Sequence, residues 1–218
     1  MGEGGGAARC SPPLSYGGSM KGKSYLGLPE GYCLIREIDL QKEKKLAIWL
    51  NIVAGILGLA MMLPAVFLVK ASYFTGGGLL PVLAPMLVFL LGAMVYLALH
   101  EWVHGIFIRM FCGKKASYGF SGLYAFAGKG DAFFCKKHYI IISLAPVILL
   151  GIALAALNCW AQGLWFFAVY LIQAVNLSGA VGDLYVVYLC LRAPADLLVN
   201  DEGTSMRFYT ADGENVRH

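Results

Sequence analysis

Charge is what this sequence has least of. Asp, Glu, Lys and Arg make up only 14% of its 218 residues, while 59% are hydrophobic. A soluble domain is nearer about 25% charged and about half apolar. The shortage argues against a water-soluble enzyme, and disorder would need the opposite bias. The six cysteines contain no CxxC pair, so neither a zinc ribbon nor a thioredoxin-type motif is present. No apolar h-region follows MGEGGGAARC, so no cleavable signal peptide is expected. Internal repeats and coiled-coil heptads are also lacking.

What the sequence does have is four long apolar runs. They extend over Leu46–Val69, Leu79–Ile108, Tyr139–Leu157 and Leu164–Leu191. Each is about 19 residues or longer, enough to cross the hydrocarbon core as a helix. Pro64, Pro81, Pro85 and Pro146 fall inside them. Proline is tolerated there where neighbouring groups satisfy the freed carbonyls. The seventeen basic residues give a direction. All but Lys70 lie before the first run, between the second and third, or after the fourth. By the positive-inside rule those segments are cytoplasmic, with both termini inside.

The expected fold is therefore an all-α membrane protein with four transmembrane helices. A short strand-like cytoplasmic loop and tail accompany them. Residues 1–45 form a cytoplasmic segment, flexible to about Lys23, residues 46–191 the transmembrane domain and residues 192–218 a cytoplasmic tail. The loop carries ASYGFSGLYAFAGKG, β-favouring residues between glycines, which reads as a hairpin or edge strand. Such an edge can bind an extended peptide by strand addition. The alternative is an interfacial loop anchored by Tyr118, Phe120 and Tyr124.

Polar groups inside the apolar runs are few. Of thirteen acidic residues only Glu101 and Asp183 lie there, and of four histidines only His100 and His104. A charge at the bilayer centre costs roughly 2.5–3.5 kcal/mol on insertion scales, so such groups are usually paired or functional. His100, Glu101 and His104 spell H-E-W-V-H. On a helix, positions i and i+4 share a face, so both imidazoles can reach one metal ion. Glu101 is rotated about 100° from His100 and can act on a water beside the metal. A catalytic zinc wants three protein ligands and an open position, and Asp183 is the only other intramembrane carboxylate. At 1.5 Å per residue, His100 and Asp183 both fall about 12 Å inside the cytoplasmic boundary. Asn176, two turns before Asp183, shares its helix face and is read as binding substrate or supporting the site. Gly179 and Gly182 let another helix approach closely. The plain alternative is a polar cluster joining helices two and four. No base lies deep in any run to partner Asp183, whereas a divalent ion would offset both carboxylates and satisfy both imidazoles.

These residues resemble a known family. HEWVH on the second helix, SLAPVILL on the third and NLSGAVGDLYV on the fourth look like the putative zincin peptidases of bacterial membranes. That family is similar to the site-2 protease clan of intramembrane zinc metalloproteases. The resemblance covers roughly Leu79 to Leu191. It implies zinc on His100, His104 and Asp183, with Glu101 as the catalytic glutamate. It also implies a multi-pass protein of the bacterial cell membrane that hydrolyses peptide bonds of membrane-associated proteins near the cytoplasmic side. Its partners would be the lipid bilayer and a membrane-protein or peptide substrate, not nucleic acid. Site-2 proteases commonly carry Asn-Pro-Asp-Gly around the third ligand. Here it reads VGDLY, so the helix break that Asn-Pro would impose is not expected. No PDZ-like insert is present.

Other classes fit less well. A non-catalytic metal-binding membrane protein (sensor, chaperone or degenerate peptidase) is the main alternative. A metal transporter would need a polar path, but runs one and three offer little beyond Asn51 and Ser143. A di-iron oxidase would need more ligands than these four groups.

Overall fold

The computed structural model describes residues 24–68, 79–121, 124–203 and 205–211. The segment to Lys23, expected to be flexible, lies outside the described residues. Among the described residues there are five helices: α1 (Lys44–Leu68), α2 (Leu80–Cys112), α3 (Lys136–Trp160), α4 (Gly163–Gly179) and α5 (Val181–Arg192). They supply four stretches long and apolar enough to cross a membrane, the fourth running through α4 and α5 from Gly163 to Arg192. These match the four apolar runs, with α2 continuing past Ile108 to Cys112. The features are those of a multi-pass membrane protein. On α1, Ile48, Ile52, Ile56, Leu59, Leu63 and Phe67 form one exposed stripe at helical spacing. A stripe of this kind has no place in water and suits contact with lipid chains.

The chain divides into two compact units. One comprises Lys45–His104 and Ser143–Tyr185, the helical unit. Small residues let its helices meet closely. A Cβ at Gly92 of α2 would lie 2.6 Å from Cδ1 of Ile172 on α4, and one at Gly58 of α1 would touch Ser178 at 3.7 Å. Without a hydrophobic drive between helices in lipid, such close backbone approach is a main source of association. Pro64 removes a rung of the α1 ladder. Three residues before it, the Met61 carbonyl accepts a 2.6 Å hydrogen bond from the Tyr170 hydroxyl, which ties α4 to α1.

The fourth span corrects an expectation. It is not one uninterrupted helix, because α4 ends at Gly179 and α5 begins at Val181, with a turn at Ala180 (φ −78°, ψ 3°). No proline is needed for the interruption. Gly179 and Gly182 flank it, and glycine is about 1 kcal/mol poorer than alanine in a helix interior. Ala180 is fully buried, so a small side chain is also required there. As a result Asp183 sits in the first turn of α5, where the exposed N–H groups of a helix start favour a carboxylate.

The other unit comprises Met1–Lys44, Gly105–Ile142 and Val186–His218. It corrects the all-α expectation. A five-stranded antiparallel sheet runs in the order β1-β5-β6-β7-β2. Its strands are β1 (Tyr25–Leu26), β2 (Cys33–Asp39), β5 (Ala132–Cys135), β6 (Leu198–Asp201) and β7 (Ser205–Thr210). The loop and tail do supply strands, as expected, but the segment before α1 supplies two more. Cys33 pairs with Thr210 and Asp39 with Ser205, a register between opposite ends of the chain that no local pattern announces. Central β6 is buried along its whole length. Asn200 of β6 donates to the carbonyls of Gly130 and Ala132 at 2.8 and 3.0 Å, and the Tyr139 hydroxyl donates to Asp201 at 2.7 Å. Lys136 donates to the Ala193 carbonyl at 2.7 Å, placing a cation where the last carbonyls of α5 are unpaired.

The ASYGFSGLYAFAGKG loop folds as the expected hairpin, β3 (Ser117–Ser121) with β4 (Tyr124–Gly128), in register Ser117 to Gly128. The ring of Phe126 lies against Gly119 and Gly203, leaving no room for a Cβ at either. Gly203 also has φ +93°, a conformation that side-chain-bearing residues rarely adopt. Gly203→Ala is therefore expected to lower stability on the order of 2 kcal/mol, measured by denaturant unfolding in detergent. Gly55→Ala on α1, where a new methyl would meet nothing within 4 Å, is the control and should be neutral or slightly stabilising.

Candidate metal centre

The site lies wholly within the helical unit, on α2 and at the start of α5. α2 is apolar around most of its circumference, so its few polar groups stand out by position. His100 and His104 are one turn apart on it and both are 8% exposed. Their rings meet edge to face with centroids 4.9 Å apart. Asp183 reaches both, with its Oδ2 3.2 Å from Nε2 of His100 and its Oδ1 3.5 Å from Nε2 of His104. One ligand atom from each of the three residues can be chosen so that all lie within 4.8 Å of one another. α5 starts at Val181, just after the interruption at Ala180, so Asp183 approaches the histidines from its first turn.

The donor set suits a metal ion. Two imidazole nitrogens and a carboxylate oxygen are the borderline ligands that zinc accepts. With Zn–N and Zn–O bonds near 2.1 Å, adjacent corners of a tetrahedron are roughly 3.4 Å apart. The distances of 3.2 and 3.5 Å are of that size. Three protein ligands leave one position open, the pattern of a catalytic rather than a structural site. His100, His104 and Asp183 could thus hold a metal ion.

Of the other two candidates, Glu101 follows His100 on α2 and is half-buried. Asn176 on α4 does not face the cluster directly. It is fully buried, and its Oδ1 accepts a 2.9 Å hydrogen bond from the Tyr96 hydroxyl. Tyr96 in turn lies 3.0 Å from Nδ1 of His100. Tyr96 was invisible as a site residue because tyrosines are common in apolar helices. Its signal was spacing, since it stands one turn before His100 on the face that carries both histidines.

The chain thus has helices long and apolar enough to cross a membrane, and between them two histidines and a carboxylate that could hold a metal ion. Residues 93–198 match the model of a family described as putative zincin peptidase. Over that stretch the chain is similar to this family, and zinc is the metal the family's description implies. The match takes in both histidines, Glu101, Asn176 and Asp183. No curated protein and no solved structure matches the chain.

The geometry gives a direct prediction. Detergent-purified protein should hold about one zinc ion per chain by mass spectrometry of metals, and His100→Ala and Asp183→Ala should each lose it. Full zinc retention in either variant would remove that residue from the ligand set.

Proposed function

We propose that this protein is an intramembrane zinc metalloprotease that cleaves membrane-associated proteins near the cytoplasmic side of a bacterial membrane. The observation that carries this reading is the meeting of Asp183 with Nε2 of both histidines of the H-E-W-V-H segment. The family over residues 93–198 supports a zinc peptidase. The intramembrane setting is inferred from the apolar runs around the three residues, and the orientation from the placement of basic residues.

Zinc, when bound by His100, His104 and Asp183, would supply a Lewis acid that polarises the scissile carbonyl and acidifies a water. Glu101 takes the proton of the attacking water and returns it to the leaving amine, a role that keeps the carboxylate beside the ligands rather than among them. Asp183 offsets charge in a setting where an unpaired ion is expensive. The substrate segment has to be extended or unwound, because a helical backbone occupies its own carbonyls.

Glu101→Gln separates this reading from a non-catalytic metal site. In proteoliposomes carrying a labelled single-span membrane protein as model substrate, Glu101→Gln should keep its zinc and lose cleavage by about 10²–10⁴-fold. Cleavage unaffected by the change would refute the assignment of Glu101. A zinc-loaded wild type with no cleavage of any membrane-protein substrate offered would favour the sensor or chaperone reading.

A further inference from the structure

Behind His100 runs a chain of hydrogen bonds whose direction can be deduced. It begins at the Val147 carbonyl on α3, which can only accept. The atom of Asn176 that lies 3.1 Å from it must therefore be the amide nitrogen, Nδ2. That fixes the orientation of the Asn176 amide and turns Oδ1 towards Tyr96. Oδ1 can only accept, so the single hydroxyl proton of Tyr96 is committed to it, at 2.9 Å. The Tyr96 oxygen then has no proton left for His100, 3.0 Å away at Nδ1. A hydrogen bond between them requires Nδ1 of His100 to carry the proton and donate it.

We propose that Tyr96 is a positioning residue that fixes the tautomer of His100, and that Asn176 acts through Tyr96 rather than on substrate. The proposal deepens the metal-site reading and rests on it for its purpose. With the proton on Nδ1, the neutral ring presents a lone pair at Nε2, the atom that faces Asp183. Two electron-rich atoms then stand 3.2 Å apart, an unfavourable contact that a cation between them makes favourable. While the ring is neutral, the relay thus holds His100 in its ligand form before any metal arrives. Without it, Nε2 of a neutral ring would be free to carry the proton and bond Asp183 directly, closing the site.

Burial supports this division of roles. Asn176 is 0% exposed and Tyr96 5%, so neither is presented to an incoming chain. Gly151 of α3 makes room for the amide, since a Cβ there would lie 3.0 Å from Nδ2 of Asn176. Every polar atom the relay uses on these two side chains has a partner, and the chain ends on a backbone carbonyl that cannot change its role. Partners of metal-bound histidines commonly contribute 10–100-fold to metal affinity.

The test is nitrogen-15 NMR of histidine-labelled protein in detergent micelles. Metal-free and zinc-loaded samples are compared, and the His100 signals are assigned by their loss in His100→Ala. In metal-free wild type, with its imidazoles neutral, His100 should be the Nδ1–H tautomer alone. Tyr96→Phe removes one oxygen and should shift His100 to the Nε2–H form or a mixture. It should also weaken zinc binding about 10–100-fold in competition with a chromophoric chelator. Asn176→Leu, the second variant, should move both readouts the same way. Helical circular dichroism and the unfolding midpoint check that each variant is folded. An unchanged tautomer and zinc affinity in folded Tyr96→Phe would overturn the proposal, as would an Nε2–H ring in wild type. Failure of wild type to bind zinc would instead overturn the metal-site reading, and the metal-free tautomer would still decide the relay.

Discussion

The cost of ionisable groups among apolar helices is the constraint on which the rest of the structure turns. His100, His104, Glu101 and Asp183 all stand in segments apolar enough to cross a membrane. At the centre of a bilayer each charged carboxylate would cost roughly 2.5–3.5 kcal/mol on insertion scales. A fold can carry that only by bringing the groups together. The two imidazoles sit one turn apart on α2, and Asp183 meets both of them from α5. The close helix contacts at Gly92 and Gly151 have the same consequence, since helices held apart by larger side chains could not share one polar cluster.

The grouping of His100, His104 and Asp183 was legible in the sequence because its logic is local and periodic. The i, i+4 spacing of His100 and His104 follows from 3.6 residues per turn. Counting residues from the ends of the two apolar runs put Asp183 level with His100, and the two side chains do meet. The break in the fourth span was not legible. The span lacks Asn-Pro, yet it turns at Ala180, between Gly179 and Gly182. A proline forces a break by geometry. Glycines merely weaken the helix until packing decides, and packing is not visible in a one-dimensional pattern.

The sheet was legible only in pieces. The hairpin announced itself by glycines flanking alternating aromatic residues, and it formed in the expected place. Strand β2 did not, because CLIREID lacks clean alternation and its partner β7 lies at the other end of the chain. What makes it a strand is the long-range pairing, with Arg207 of β7 hydrogen-bonded to Glu37 at 3.1 Å. Tyr96 was missed for a related reason. A tyrosine in an apolar helix has many roles, and only the positions of Asn176 and Val147 reveal which one it plays.

The helical unit therefore contains two kinds of buried polar arrangement, and their difference has meaning. The run from Val147 through Asn176 and Tyr96 to Nδ1 of His100 uses neutral groups, donor matched to acceptor at each step. It needs nothing further, so it can serve as scaffold. At Nε2 of His100 the matching stops. The next atom is a carboxylate oxygen, and Asp183 turns its second oxygen to His104 in the same way. A network that is satisfied up to one face of a ring, and asks for a positive charge at the other, separates the part that holds from the part that binds.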